Sequence, residues 1–250
     1  MAQTPDDLTD KASTLKSYQA SPYLSIKHTT YFHVYDRLFG RFVGQDFTFV
    51  EIGVFNGGSL FMWRDFFGPK ARIIGIDLNP VARKWEDHGF EIFTGSQQNP
   101  QFWKTFFEKV GTVDVLLDDG GHTFEQQIVT CHCAAPNIND GGLLVVEDAH
   151  TSYMESFGGP SPLSFIEYSK NIVDGINHRF SAFEKNHKTE RVISSVQFFE
   201  SIVAFEVDRR LANMRSAPTS NRGESMDAKD FRYEDGITIS ASNLMKAFKY

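Results

Sequence analysis

The stretch LLDDGGH, residues 116–122, is an apolar run that stops abruptly at acidic residues. The stretch VVED, residues 145–148, has the same form. Such runs are typical of buried parallel strands at the point where each strand leaves its sheet and meets a cleft. The carboxylates and the histidine at these two strand ends could together hold a divalent cation with a base beside it.

Around these two stretches, strand-like and helix-like segments alternate strictly from residue 47 to residue 148. This alternation predicts an α/β fold with a right-handed, doubly wound and mostly parallel sheet. Beyond it, a helix and two further strand-like runs are expected. The predicted strands are 47–53, 71–78, 90–94, 113–117, 143–146, 190–196 and 198–206. The predicted helices are 28–43, 58–67, 81–88, 100–110, 123–134 and 164–178.

The composition suits one sizeable domain, because 41% of the 250 residues are hydrophobic. We expect a polar N-terminal tail over 1–25, one domain over 26–210, and a loop-rich segment over 211–250 that packs on the same domain. The N-terminus lacks the basic and apolar regions of a secretory signal. No run reaches the roughly 20 apolar residues of a membrane span. A cytoplasmic location is therefore expected.

The net charge of −7 disfavours nucleic-acid binding, which requires a basic surface. Two cysteines, Cys131 and Cys133, exclude a disulfide framework and indicate a reducing compartment. With His132 between them they could be a zinc site or simply core cysteines. A helical position favours core packing, since helical residues two apart point to different faces.

The stretch EIGVFNGGS, residues 51–59, joins the first predicted strand to its helix. Its glycines let the backbone approach a ligand closely, and a helix start offers free N–H groups. Asp77 ends the second strand, where a carboxylate can accept hydrogen bonds from both hydroxyls of a ribose. The spacing is neither that of a dinucleotide-binding G-x-G-x-x-G loop nor that of a phosphate loop. A plain tight turn remains the alternative.

Three carboxylates from the two acidic stretches, with no cysteine thiolate beside them, would form an all-oxygen site, which suits Mg²⁺. His122 could then remove a proton from a substrate hydroxyl. Plainer roles stay open: Glu147 and Asp148 could cap a helix, and His122 could be a helix-start residue. Asp118 should face the cofactor or the interior rather than the metal, because adjacent strand residues point to opposite faces.

The glycine loop followed by Gly75-Ile76-Asp77 resembles the class I S-adenosylmethionine-dependent methyltransferases. The acidic stretches, extended to Tyr153, are more specific. They are similar to the metal-dependent sugar O-methyltransferases of macrolide biosynthesis, the mycinamicin/tylosin group, and to cephalosporin-hydroxylase-like proteins. Lys27-His28-x-x-Tyr31 with Tyr35 matches the lead-in helix of that family, and 196–203 its late strand. The resemblance covers residues 26–208.

The resemblance implies a Rossmann-like methyltransferase sheet with a late antiparallel strand, and it implies roles for individual residues. The methionine end of the cofactor would lie on the glycine loop, Asp77 would bind the ribose, and the loop after the third strand would lie near the adenine. The implied cofactor-binding residues are Glu51, Gly53, Ser59, Asp77, Ser96 and Gln97. Asp118 is added to the cofactor-binding candidates because of its expected orientation on the strand. The implied metal ligands are Asp119, Glu147 and Asp148, and the implied general base is His122.

The predicted function is Mg²⁺-dependent transfer of the methyl group of S-adenosyl-L-methionine to a hydroxyl of a sugar or glycosylated natural product. A hydroxylase-like antibiotic-tailoring enzyme of the same fold, or a non-catalytic binding subunit, are the alternatives. The loop spacing disfavours a nicotinamide-dependent oxidoreductase. The expected partner is a small-molecule acceptor rather than nucleic acid or membrane, and self-association into a homo-oligomer is left open.

Overall fold

The computed structural model of the protein describes residues 13–180, 191–224 and 226. By its internal contacts the chain divides into two units, 1–216 and 217–250. In the second unit, the described residues 217–224 and 226 form neither helix nor strand. The predicted ends of the N-terminal tail at residue 25 and of the domain at residue 210 remain predictions. Residues 1–12, the segment 181–190 and the predicted tail beyond 226 lie outside the described residues.

Within the described residues, seven strands form one sheet in the order β3-β2-β1-β4-β5-β7-β6. Strands β1 to β5 pair in parallel, whereas β7 is antiparallel to both of its neighbours. The predicted doubly wound sheet with a late antiparallel strand is confirmed. The strands are β1 (Thr48–Ile52), β2 (Arg72–Asp77), β3 (Glu91–Thr94), β4 (Val113–Asp118), β5 (Ile138–Val146), β6 (Ile193–Phe198) and β7 (Val203–Val207).

Helices cover both faces of this sheet, and none of those described is long and apolar enough to cross a membrane. The helices are α1 (Ser13–Ala20), α2 (Tyr31–Phe39), α3 (Gly58–Phe67), α4 (Pro100–Val110), α5 (Phe124–Ala134), α6 (Phe165–Asn177) and α7 (Arg209–Asn213). Shorter 3₁₀ segments are Gly40–Phe42, Pro80–His88, Ala135–Asn137, Ala149–Tyr153 and Glu155–Phe157.

Two apolar cores lie on opposite faces of the sheet. One is rich in aromatic side chains from α2 and α3, among them Phe39 and Trp63, which are fully buried. The other packs α4, α5 and α6 through residues such as Trp103 and Phe165. The apolar runs of β1, β4 and β5 supply residues to both cores, which is why these strands read as continuous hydrophobic stretches.

Several predicted elements differ from the structure in their bounds or in their type. Strand β5 begins at Ile138 and runs through Asp140-Gly141-Gly142, which the sequence indicated to be a connection. The last strand-like run contains a turn over 199–202, so β7 begins only at Val203. The predicted helix over 81–88 is a 3₁₀ segment. Residues 13–20, within the predicted polar tail, form α1, which packs on α2 through the buried Thr14.

The chain order reverses between β1 and β4, and the segments that follow these two strands lie against each other. Gly53, directly after β1, has a φ of +93°. A Cβ atom at this position would lie 2.0 Å from the carbonyl oxygen of Asp119, which follows β4. Glycine is therefore required here for two reasons, its backbone conformation and the close approach of the second chain segment. Ligands of open α/β sheets bind at such a switch point.

The substitution Gly53→Ala should destabilise the fold more strongly than Gly44→Ala. Both glycines have positive φ values, +93° and +73°, but no described atom lies within 4 Å of a Cβ at Gly44. Gly44→Ala should cost about 1 kcal/mol for backbone strain alone. Gly53→Ala should cost about 3 kcal/mol or more, because the steric overlap adds to that strain. Urea denaturation of both variants measures the difference, and equal losses would contradict the close approach.

Candidate active site

A cavity of about 700 Å³ opens where β1 to β5 end, on the carboxyl side of the sheet. Its volume falls in the range of small-molecule and cofactor sites, roughly 300 to 1,000 Å³. The structure brings eight of the eleven predicted site residues to its wall. They are Gly53, Ser59, Asp77, Ser96, Gln97, Asp119, His122 and Asp148.

The other three predicted residues, Glu51, Asp118 and Glu147, are not among the residues that line the cavity. All three are carboxylates at strand ends with at most 1% of their surface exposed. Glu51 accepts hydrogen bonds from Ser59 Oγ at 2.6 Å and from Trp63 Nε1 at 2.9 Å. Burial raises the pKa of Glu51 to about 7. In this structure these acids support the wall of the cavity from behind.

Asp77 holds the glycine loop in place. Its Oδ2 accepts hydrogen bonds from the backbone N–H groups of Val54 and Phe55, at 2.9 and 3.1 Å. Its Oδ1 accepts one from Asn79 N–H at 2.7 Å. A carboxylate has about four acceptor positions. Asp77 therefore retains capacity for a donor that enters the cavity, beside its structural role.

Asp118 and Gln97 together shape the Gly120-Gly121 turn. Gln97 Nε2 donates to both oxygens of Asp118, at 2.9 and 3.0 Å, and Gln97 Oε1 accepts from Gly121 N–H at 2.9 Å. Burial raises the pKa of Asp118 to about 6, and the hydrogen bond from Gln97 opposes this rise. Asp118 thus faces the interior, one of the two orientations that strand alternation allowed.

Sequence reasoning assigned no charge role to Lys27, yet its ammonium lies at the centre of the acidic cluster. Lys27 Nζ is 2.6 Å from Asp119 Oδ2, 2.9 Å from Glu147 Oε2 and 3.9 Å from Glu51 Oε1. The side chain is 1% exposed. Burial opposes the charge on Lys27, but the three carboxylates outweigh it and raise its pKa well above the ordinary value.

Glu147 is held on both oxygens. Lys27 binds Oε2, and Tyr35 Oη donates to Oε1 at 2.6 Å. Burial raises the pKa of Glu147 to about 8, because its desolvation exceeds the stabilisation by Lys27 and Tyr35, and nearby Asp119 adds to the rise. The Lys27 ammonium is thus the counter-charge of three buried or half-buried acids. Ionising all three acids together is unfavourable, because one positive charge cannot neutralise them all.

The signal that could have revealed this arrangement is a spacing of four residues. Lys27, Tyr31 and Tyr35 succeed one another at that interval, just before and within α2. Residues four apart share one face of a helix, so a single line of side chains reaches the acids. Tyr31 Oη donates to Asp148 Oδ1 at 2.5 Å and lies 2.9 Å from Ser201 Oγ.

Asp119, His122 and Asp148 are the described residues whose ligand atoms converge at the cavity, all within 4.8 Å of one another. Each is about one-fifth to one-quarter exposed. His122 Nε2 lies 3.4 Å from Asp148 Oδ2, while its Nδ1 is buried without a hydrogen-bond partner among the described residues. A second group of possible ligands shares Asp148 and consists of His28, His150 and Asp148.

Neither His122 nor Asp148 acts as a helix cap. Thr123 caps α5 and forms a capping box with Gln126, and Asp148 makes no side-chain cap to the 3₁₀ segment that follows it. Both His122 and Asp148 adopt left-handed backbone conformations, with φ values of +60° and +54°. Such conformations cost non-glycine residues about 1 kcal/mol or more and cluster at functional sites. The cap alternatives are therefore excluded by the structure.

The Cys-His-Cys run lies on α5, as predicted. Cys131 is buried in the apolar core, and Cys133 is partly buried against it. The described residues that could share a metal ion include neither cysteine. Burial raises the pKa of the Cys131 thiol well above its ordinary value. The core-packing alternative of the sequence analysis is the one that the structure supports.

Residues 50–149 match a family model described as a methyltransferase domain. This match covers less than half of the chain. The chain is also similar in structure to MycE, a methyltransferase of the mycinamycin biosynthetic pathway solved with Mg, SAH and mycinamycin VI. The TM-score is 0.71 at 25% identity, covering 83% of this chain and 55% of MycE. The resemblance inferred from the motifs is confirmed.

Two curated relatives are similar to this chain over about half of their own length. The 8-demethyl-8-alpha-L-rhamnosyl tetracenomycin-C 2'-O-methyltransferase of Streptomyces olivaceus is 29% identical over 71% of this chain and 50% of its own length. The mycinamicin VI 2''-O-methyltransferase of Micromonospora griseorubida is 28% identical over 79% of this chain and 52% of its own length. The chain thus spans about half the length of these relatives.

Glu51→Gln should change how stability depends on pH. In the metal-free protein, a shift of the Glu51 pKa from 4.5 to about 7 means that folding favours the neutral acid. Its stabilising contribution is fully present below pH 4.5 and is lost as pH rises through 7. From pH 5 to pH 8 the wild type should lose roughly 2 to 3 kcal/mol more than the variant.

Urea denaturation at the two pH values, in buffer containing a chelator, measures this loss. The variant keeps one acceptor for Ser59 and Trp63, so the comparison isolates the ionisation of residue 51. Parallel pH profiles for the two proteins would show that Glu51 is not forced toward its neutral form.

Proposed function

We propose that the chain is an S-adenosylmethionine-dependent and Mg²⁺-dependent O-methyltransferase that acts on a hydroxyl of a sugar or glycosylated small molecule. One observation carries the proposal: the cavity that follows the glycine loop also contains Asp119, Asp148 and His122. A cofactor cleft and a cation cluster with a base thus share one cavity. The relatives are O-methyltransferases of a rhamnosyl tetracenomycin and of mycinamicin VI, which supports the same function.

The cavity wall suits S-adenosylmethionine. Gly53 lines the cavity, and Asp77 offers acceptor capacity for ribose hydroxyls. Exposed apolar side chains at Leu78 and Val81, 71% and 61% exposed, stand beside Asp77 and would cover an adenine ring. Ser59 and Gln97 complete the polar part of the wall. Glu51 was predicted to contact the cofactor. For that contact its side chain would have to turn from its present position behind Ser59.

The donor set suits a hard divalent cation. Asp119 and Asp148 present carboxylate oxygens to the cavity, and the Lys27 ammonium already shows that the cluster attracts positive charge. Mg²⁺ prefers oxygen ligands and retains several waters, so two carboxylates are sufficient to hold it. Glu147, the third predicted ligand, is bonded to Lys27 and Tyr35, and it could join only if Lys27 moved.

His122 would serve as general base. Because Mg²⁺ prefers oxygen, the imidazole need not be a ligand and its Nε2, beside Asp148 at the cavity, would take the proton of the acceptor hydroxyl. The Asp148 carboxylate would stabilise the imidazolium that forms. When bound, the cofactor would supply the methyl group and the cation would acidify the hydroxyl. The cavity residues would position the two reactants, which is a large part of the rate enhancement.

The acidic net charge supports a small-molecule acceptor rather than nucleic acid. A cytoplasmic location and self-association remain parts of the proposal. The hydroxylase-like alternative shares the same cavity, so methyl transfer to glycosylated acceptors is the activity that separates the two. The non-catalytic alternative is disfavoured, because the structure keeps His122 and Asp148 in costly left-handed conformations at the cavity.

Asp77→Asn should weaken binding of S-adenosylmethionine at least tenfold. The substitution replaces one charged acceptor oxygen by an amide group, and a hydrogen bond to a charged group contributes roughly 1.5 to 3 kcal/mol. Asp65→Asn is the matched control, since Asp65 is exposed on α3 and is not part of the cavity wall. Isothermal titration calorimetry measures both affinities. Equal binding by the two variants would remove Asp77 from the cofactor site.

His122→Asn should lower kcat by a factor of about 10² to 10⁴ and leave the affinity for S-adenosylhomocysteine within about twofold. Asparagine tolerates the left-handed conformation of residue 122, so the backbone is preserved. His132→Asn on the exposed side of α5 is the control. Turnover of glycosylated acceptors under saturating cofactor provides the rates, and unchanged turnover would exclude His122 as the base.

A further inference from the structure

The position of Lys27 affects how a divalent cation would bind in the cavity. This inference rests on the proposed function, which includes that cation. The Lys27 ammonium lies on the interior side of the acidic cluster, with 1% of the side chain exposed. It engages Asp119 Oδ2 at 2.6 Å and Glu147 Oε2 at 2.9 Å. These two acids are among the three predicted metal ligands. The protein therefore places a cation of its own between two of the three predicted ligands of the divalent cation.

Every other observation around Lys27 fits a charge role rather than a packing role. Tyr35 Oη binds the remaining oxygen of Glu147, which aims the other oxygen at Lys27. Glu51 adds a third carboxylate at 3.9 Å. A buried acid cluster of this size is unstable without a counter-charge. The ammonium supplies that charge in the absence of a metal ion.

Lys27 is also placed where it can shift. It belongs to residues 21–30, which connect α1 to α2 without helix or strand structure. A lysine side chain has four rotatable bonds and a compact charge, so its ammonium can withdraw without unfolding a regular element. The neighbouring residues Leu24 to Ile26 line the cavity, so this part of the segment borders the site.

We propose that the Lys27 ammonium is an internal competitor for the divalent cation. It neutralises Asp119 and Glu147, weakens cation binding by electrostatic repulsion, and restricts the cation to the cavity side with Asp119 and Asp148. A positive charge a few ångströms from the cation is strongly unfavourable in a partly buried site. Removing that charge frees the inner oxygens of two acids, and Glu147 then becomes available as an additional ligand.

The test is a calorimetric titration of MgCl₂ into the wild type and two variants. Lys27→Met removes the charge and keeps the length of the side chain, and it should bind Mg²⁺ at least tenfold more tightly than the wild type. Lys84→Met removes the same charge from an exposed lysine at the cavity wall, where solvent and salt screen it. Its affinity should stay within about twofold of the wild type.

Unchanged or weaker Mg²⁺ binding by Lys27→Met would overturn the inference and make Lys27 a support for the ligands. If the wild type binds Mg²⁺ and Lys27→Met binds it no more tightly, the proposed function stands and only the inference fails. If neither protein binds Mg²⁺, the metal dependence of the proposed function fails as well. Binding by the variant alone would support the inference.

Loss of Lys27 leaves buried acids without a partner, so the metal-free variant is expected to be less stable. Lys27→Gln keeps two N–H donors without the charge and is the second variant. If both variants fail to fold in metal-free buffer, they are refolded in increasing MgCl₂. The inference predicts that Mg²⁺ restores their folding and raises their melting temperature more than that of the wild type. No rescue by Mg²⁺ would contradict it.

Discussion

A buried ammonium ion among three carboxylates is the interaction on which the site depends. Lys27 connects Glu51 at the end of β1, Asp119 after β4 and Glu147 after β5. These acids belong to three neighbouring strands, so their mutual repulsion would separate the strand ends that form the cavity. The ammonium allows the acids to be close together. The lead-in segment before α2 is also part of the cavity wall, through Leu24 to Ile26.

The parallel sheet explains why the acids meet at all. Parallel strands place their carboxyl ends on one edge, and the reversal of strand order between β1 and β4 opens a crevice there. Gly53 allows the two segments that border the crevice to touch. Apolar cores on both faces hold the strands rigidly, which lets polar side chains be positioned accurately at their ends.

Much of the fold could be predicted from the sequence, because β1, β2 and β4 are short apolar runs that end at glycine or aspartate. The start of β5 could not, since Asn139-Asp140-Gly141-Gly142 has the composition of a turn although it pairs within the sheet. The start of β7 was misplaced because the turn before it contains Ile202, an apolar and buried residue. Tertiary pairing decides such boundaries, and local composition does not encode it.

The sequence indicated Asp119, His122 and Asp148 as site residues, because they lie in the two acidic stretches at the ends of strands. The sequence could not show which acids line the cavity and which lie behind its wall. Glu147 and Asp148 are adjacent in the chain, and only the backbone conformation directs their side chains apart. Lys27 lies 92 residues from Asp119 and 120 from Glu147 in the chain. The four-residue spacing of Lys27, Tyr31 and Tyr35 could place these side chains in one line, but it does not show which acids Lys27 meets. Its role follows only from the folded arrangement.

We propose that one cavity holds the methyl donor and a divalent cation side by side. A crystal structure grown with S-adenosylhomocysteine and Mn²⁺, with anomalous diffraction data, tests it most directly. The account predicts an anomalous peak bonded to Asp119 and Asp148, and nucleoside density between the glycine loop and Asp77. Nucleoside density elsewhere, or a cation bound away from these carboxylates, would contradict it.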